Sequence, residues 1–303
     1  MSEHRSGFVS IIGRPNAGKS TLLNALVGQK VAIVADKPQT TRTSIQGVVT
    51  TPEAQIVFVD TPGIHKADTP LNKRLMNAVR ASLEERDLLL FVADATQPIV
   101  EDDRHAVDVL RRTETPALLV LSKVDLLKDK GALLPLIDRY REIHAFADYM
   151  PVSSLRRDGL EELQRAVIER LPEGPAYFPE DYVTDQPERY LAAELIREKV
   201  LLATRQEVPH SVMVSVEKWE ETPSLTRIYA TIRVERDGQK AIVIGAGGSM
   251  LKKVGTLARQ EMERLFGIKI FLDLHVKVEP GWREKPAFLN SIDWRTMGGK
   301  DDV

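Results

Sequence analysis

The chain has 303 residues, of which 43% are hydrophobic and 28% charged, with a formal net charge of −2 and no cysteine. That length favours two domains, the near-neutral charge gives no electrostatic sign of a nucleic-acid partner, and the lack of cysteine excludes disulfides, thiolate metal sites and a cysteine nucleophile. No apolar run approaches the roughly 20 residues of a membrane-spanning helix, and the apolar stretch 8–12 leads into a glycine loop rather than a cleavage site, so a cytosolic protein is expected.

Up to about residue 171, short apolar runs at 8–12, 55–60, 87–94 and 117–122 alternate with amphipathic stretches at 71–85, 101–112, 132–146 and 159–171. Buried strands separated by helices of that length predict an α/β domain, a doubly wound and mostly parallel sheet covered on both faces. The runs 44–51 and 55–60 are separated only by a short turn containing Pro52, which predicts an antiparallel edge hairpin. Pro172, Pro175, Pro179 and Pro187 then interrupt any regular element, so residues 172–187 read as a stiff, semi-extended linker. Further on, 188–204 has helical spacing, 211–219 and 227–234 alternate, a glycine loop precedes a helix ending near Gly267, and 269–278 alternates again. That order predicts a small α+β layer. The expected domains are therefore 5–171 and 188–285, with 286–303 a frayed polar tail. Residues 188–285 carry 17 basic against 14 acidic side chains, too slight an excess to argue for RNA without a motif.

The first motif is Gly13-Arg14-Pro15-Asn16-Ala17-Gly18-Lys19-Ser20, followed by Thr21, which fits the P-loop pattern between a strand and a helix. Its glycines let backbone N–H groups close around phosphate oxygens at a helix N-terminus. Lys19 is expected on the outer phosphates and the Ser20 hydroxyl on Mg²⁺. Asp60-Thr61-Pro62-Gly63 ends the next buried strand, placing Asp60 toward the metal through water and the Gly63 N–H toward the terminal phosphate. Ser122-Lys123-Val124-Asp125 ends another strand: a carboxylate there accepts two hydrogen bonds from guanine, which adenine does not offer. The Lys123 stem is expected across the purine face, and Ser153-Ser154 is placed to bring a backbone N–H to the base carbonyl.

Gly245-Ala246-Gly247-Gly248 lies between a short apolar helix and a longer one. It fits the G-x-x-G loop that clamps the backbone of about four nucleotides, and the surrounding element order resembles a type II KH domain. Lys252 and Lys253 follow within reach of phosphates, although a solvated helix face explains them equally well.

The first domain resembles a translation-factor-related GTPase, and the whole pattern over about 5–285 resembles the Era family. The resemblance rests on the segment Pro38-Gln39-Thr40-Thr41-Arg42 and on Leu171-Pro172-Glu173-Gly174-Pro175 and Pro179-Glu180-Asp181-Tyr182. It implies that Thr41 ligates Mg²⁺ in the triphosphate state. It also implies a GTP/GDP switch acting on the 3′ end of 16S ribosomal RNA in maturation of the small ribosomal subunit, in a monomer with peripheral membrane association. Three departures stand out. Ser122 replaces the family's asparagine, which implies a lost bridge to the P-loop and weaker guanine binding; Ser153-Ser154 replaces Ser-Ala; and Ala246 stands where lysine is common. Ile64 occupies the position of the water-orienting glutamine of Ras-like enzymes, so hydrolysis is expected to be slow and no side chain is assigned as the base. Similar enzymes use K⁺ contacted by an asparagine at the position of Asn16. The six histidines form no metal-ligand spacing. Two other readings remain: a P-loop nucleotide kinase, for which no arginine-rich lid is found, and an RNA chaperone with a decayed nucleotide site.

Overall fold

The computed structural model describes residues 4–296 apart from 38, 65–68, 85 and 205–207. Pro38 and His65 therefore lie outside the described residues, as do positions 297–303. The chain forms two compact units, one of residues 1–32 and 41–185, the other of 33–40 and 186–303.

The first unit is a six-stranded sheet of order β2-β3-β1-β4-β5-β6. Its strands are β1 (Arg5–Ile12), β2 (Ile45–Thr50), β3 (Ala54–Asp60), β4 (Leu88–Asp94), β5 (Ala117–Ser122) and β6 (Asp148–Pro151). All neighbours pair parallel except β2 and β3, which form the expected antiparallel edge hairpin. Every residue of β3, β4 and β5 is buried, as continuous apolar runs in a sheet covered on both faces require. The helices are α1 (Lys19–Val27), α2 (Pro70–Ala81), α3 (Glu101–Leu110), α4 (Leu133–Ile143) and α5 (Leu160–Ile168). They end a few residues short of the amphipathic stretches, since such patterns run on into the turns that follow.

The parallel arrangement sends the carboxyl ends of β1, β3, β4, β5 and β6 to one edge of the sheet, where open α/β sheets bind ligands. Register aligns them: Ile11 pairs with Asp60, Ile12 with Phe91 and Asp94 with Ser122.

Residues 172–185, expected as a linker, lie with the first unit. Gln55, fully buried on β3, accepts the N–H groups of Tyr177 (2.7 Å) and Phe178 (2.9 Å) and donates to the Phe178 carbonyl at 2.9 Å. Val48 on β2 donates its N–H to the Val183 carbonyl at 2.8 Å, and Thr184 Oγ1 donates to the Gln46 carbonyl at 2.7 Å. Prolines without N–H groups suit a strap whose remaining backbone groups find partners on the sheet.

The second unit contains α6 (Glu188–Ala203), α7 (Val208–Ser211), β7 (Met213–Thr222), β8 (Leu225–Val234), α8 (Asp237–Ile244), α9 (Ser249–Phe266), β9 (Ile270–Val278) and α10 (Pro286–Asn290). Its sheet has the order β7-β8-β9, antiparallel between β7 and β8 and parallel between β8 and β9. Val254, Ala258 and Met262 of α9 and Leu191, Leu195 and Val200 of α6 pack on Ile228 and Ile232 of β8. The alternation of Val212, Val214 and Val216 does not continue in step, because a bulge between Val216 and Lys218 brings Trp219 to the core side. Of the expected tail, residues 286–296 are ordered into α10 and a turn, with Trp294 set 4.5 Å from the Tyr190 ring.

Candidate nucleotide and RNA sites

In the first unit the P-loop links β1 to α1, whose N-cap is Gly18 with no side-chain cap, so the helix's first N–H groups face the loop. The Lys19 ammonium donates to the carbonyls of Gly13 (3.1 Å) and Arg14 (2.9 Å). Burial pushes its pKa down to about 8, against the opposing pull of Asp60. Arg14 is fixed by an ion pair from Nε to Asp103 Oδ1 at 3.1 Å on α3; burial raises the Asp103 carboxyl above its usual range. Thr21 continues α1, partly buried.

Ser20, Thr41 and Asp60 come together. The Ser20 hydroxyl donates to Asp60 Oδ2 at 2.6 Å and lies 2.9 Å from Thr41 Oγ1, which in turn donates to the same carboxylate oxygen at 3.3 Å. Asp60 Oδ1 is buried without a hydrogen-bond partner, and burial raises this carboxyl. Two hydroxyls and a carboxylate with an orphaned oxygen are the hard oxygen donors a small divalent cation prefers. Among the described residues no group of three or more His, Cys, Asp or Glu side chains is arranged to hold a metal ion. Gly63 lies so close to the P-loop that an added Cβ would fall 2.8 Å from the Pro15 ring. Ile64 is 1% exposed in the apolar core, so its side chain reaches no water.

On the base side, Ser122 departs from expectation. Its hydroxyl reaches the Ala17 carbonyl at 2.5 Å and the Ala93 carbonyl at 3.0 Å, and the single proton serves one at a time. The bridge to the P-loop that serine was expected to forgo is thus made. Ser122→Ala is therefore expected to weaken GDP and GTP binding by about 2–12-fold, the worth of one buried hydrogen bond; titration with unchanged affinity would show the bridge to be idle.

Lys123, at φ +61, donates to the Asn16 carbonyl at 2.8 Å and to Asp94 Oδ2 at 2.7 Å. Asp94 went unnoticed in the sequence, although it ends β4 at the same sheet edge as Asp60 and Ser122. Burial of its carboxyl is outweighed by the Lys123 and Thr96 donors, which hold it below the usual carboxylate range. Asp125 Oδ1 accepts the Ser153 hydroxyl at 2.6 Å, while the Ser153 N–H is committed to the Asp158 carbonyl at 2.9 Å. The Ser153 N–H is therefore already engaged, while its hydroxyl holds Asp125 in place.

In the second unit, Gly245, Ala246, Gly247 and Gly248 join α8 to α9. Gly247 (φ +57) and Gly248 (φ +79) are left-handed, and a Cβ at either would meet open space. The loop is thus open to an approaching backbone. Gly248 is the N-cap of α9, again without a side-chain cap, and Lys252 and Lys253 are exposed on its first turns.

A family model described as 50S ribosome-binding GTPase matches residues 8–123, and one described as KH domain matches 207–283. The GTPase Era of Geobacter metallireducens is 49% identical over 292 residues, covering 96% of this chain and 98% of that protein. A crystal structure of Era in complex with MgGDPNP and nucleotides 1506–1542 of 16S ribosomal RNA superposes with a TM-score of 0.92 at 39% identity, covering 97% of this chain and 99% of that one. A point variant of Aquifex aeolicus Era bound to GDP·AlF4⁻ gives a TM-score of 0.91 at 39% identity, with the same coverage of 97% and 99%.

Proposed function

The chain belongs to the Era family of GTPases, and on that premise we propose that it binds GTP and hydrolyses it to GDP and phosphate. In the same reading it binds RNA at the 3′ end of 16S ribosomal RNA and acts in assembly of the small ribosomal subunit. The observation that carries the enzymatic part is the meeting of Ser20, Thr41 and Asp60, from three separate segments, beside a buried P-loop lysine.

Ser20 and Thr41 would hold Mg²⁺, and Asp60 would hold one of its waters. The ion, when bound, neutralises charge developing on the phosphate oxygens. Lys19 turns from the loop carbonyls to the outer phosphates, while the uncapped start of α1 donates N–H groups to the inner ones. Asp125, oriented by Ser153, accepts two hydrogen bonds from guanine, and the Ser154 N–H meets the base carbonyl. Gly13, Arg14, Pro15, Asn16, Ala17 and Gly18 wrap the phosphates, and the Gly63 N–H contacts the terminal one. Ile64 is part of the apolar core and cannot orient the attacking water, so slow turnover is expected, and K⁺ held near Asn16 would supply positive charge beside the phosphates.

Residues 5–171 form the catalytic domain, 188–285 the RNA-binding one and 172–187 their connection. The protein acts as a cytoplasmic monomer that associates peripherally with the inner face of the membrane. Among the described residues no helix is long and apolar enough to cross a bilayer.

Turnover of GTP and ATP by the full chain, with and without Mg²⁺ and in potassium or sodium, tests the reading. Magnesium-dependent turnover of GTP alone, faster in potassium, is expected. Equal use of ATP would overturn the base assignment, and equal rates in the two salts would remove the potassium from the mechanism. Asn16→Ala is expected to abolish the potassium stimulation with GDP binding retained.

A further inference from the structure

The Lys123 side chain is held at its tip by two acceptors from different segments of the first unit. Its ammonium, with three protons to give, donates one to the Asn16 carbonyl of the P-loop at 2.8 Å and one to Asp94 Oδ2 at 2.7 Å, although 34% of the side chain is exposed. Asp94 closes β4 and is itself clamped. Its Oδ1 accepts the Thr96 N–H at 2.9 Å and the Thr96 hydroxyl at 2.6 Å, which leaves Oδ2 to face the lysine. Register sets it there, since Asp94 pairs with Ser122, the residue before Lys123.

The turn alone does not call for a carboxylate. Asparagine closes the same turn on the N–H two residues on, and its side-chain oxygen accepts a hydroxyl equally well. The negative charge serves Lys123. Burial would raise the Asp94 carboxyl, but the Lys123 and Thr96 donors outweigh it and keep the group ionised. An ion pair with one partly exposed member contributes little to stability, so its effect here is geometric. An ammonium on a flexible four-carbon stem loses much rotamer freedom when it is fixed. Asp94 imposes that loss during folding, before any nucleotide arrives, and binding is spared it.

We infer that Asp94 is a positioning residue for guanine-nucleotide binding: it holds the Lys123 ammonium at the Asn16 carbonyl, so that the stem stands ready as a shelf for the purine. The inference rests on the reading of Lys123 across the purine face. The same contact ties the base loop to the P-loop at Asn16, itself left-handed with φ +59. The base side and the phosphate side of the site are thereby set relative to each other before the ligand binds.

The test uses the full chain carrying Asp94→Asn, which keeps the turn and removes the charge. The readouts are the affinities for GDP and for inosine diphosphate, with thermal unfolding as the check on folding. Inosine lacks the exocyclic amine of guanine, so the ratio of the two affinities reports the hydrogen bonds to Asp125, whereas a shelf serves both bases alike. Asp94→Asn is expected to weaken both by about 2–12-fold, the cost of ordering one long side chain at binding, and to leave their ratio native. Lys123→Ala weakens both as well, and adding Asp94→Asn to it brings no further change, because Asp94 acts through Lys123. Native affinities in Lys123→Ala would refute the shelf reading, and the inference with it. Weakened binding in Lys123→Ala beside native binding in Asp94→Asn, or the same further loss from Asp94→Asn in both backgrounds, would overturn the inference alone. So would a changed ratio, which would assign Asp94 to the placement of Asp125. If Asp94→Asn does not fold, Lys123→Met, an unbranched stem without the ammonium, takes its place: weaker binding of both nucleotides in the native ratio is expected, and native affinity would overturn the inference.

Discussion

Lys19→Ala lowers GTP turnover by about 10²–10³-fold, the usual cost of deleting one preorganised electrostatic contact to a transition state, and the nucleotide-free chain melts no lower than native. The first half follows from the position of Lys19 at the start of α1, where no other described cation replaces its charge on the outer phosphates. The second half follows from its burial. The folded pKa is about 8 against an ordinary 10.5, so the folded state holds this proton less tightly than the unfolded chain. The unfolded state then binds more protons between those values, and stability rises with pH across that window. The penalty is present in full below about pH 8 and gone above about 10.5. Alanine removes it at neutral pH. Turnover assays paired with melting curves of the free protein check both halves. A variant that loses activity together with its melting temperature would mean that Lys19 supports the loop's fold, not the chemistry.

The second large effect is expected in the other unit. Ala246→Asp with Gly247→Asp puts two carboxylates where the loop should approach phosphate, and RNA affinity falls by well over tenfold. The loop tolerates the change: the Gly247 Cβ position is open space, and aspartate is among the residues that accept a left-handed φ. Gly245 and Gly248, left in place, keep the turn. GTP binding and basal hydrolysis stay near native. RNA binding must be compared at fixed salt, because phosphate contacts are salt-sensitive. Undiminished RNA binding would reduce the loop to a structural turn. Loss of both activities in a folded variant would contradict the division of labour between the units.

The motifs of both candidate sites were legible in the sequence because each motif is a short run of consecutive residues, at a strand end or between two helices. The order of strands followed from apolar runs too long and too continuous for a half-exposed sheet. What escaped is contact across great sequence distance. Val34 and Glu198 are 164 positions apart, and an acidic and a basic residue on a helix read as a solvated face until the helix is seen to be buried nearly all round. Asp94 escaped for a related reason. A lone carboxylate at a strand end has no motif, and only its register with Ser122 brings it to Lys123. The bulge in β7 was hidden because one inserted residue leaves the apolar composition unchanged while shifting the alternation. The role of Ser122 was misjudged from the length of its side chain, where the deciding quantity is how near the P-loop carbonyl comes.

The strap of residues 172–185 has a consequence for self-association. Strand β2 ends the sheet, and its outward backbone groups would otherwise template the addition of a strand from another copy. Val183 and Thr184 occupy groups on that edge, so the chain covers the β2 edge of this sheet against the addition of a strand there. A first unit cut at residue 171 would carry that edge bare and would be prone to aggregate, whereas one extended to residue 185 would keep its seal.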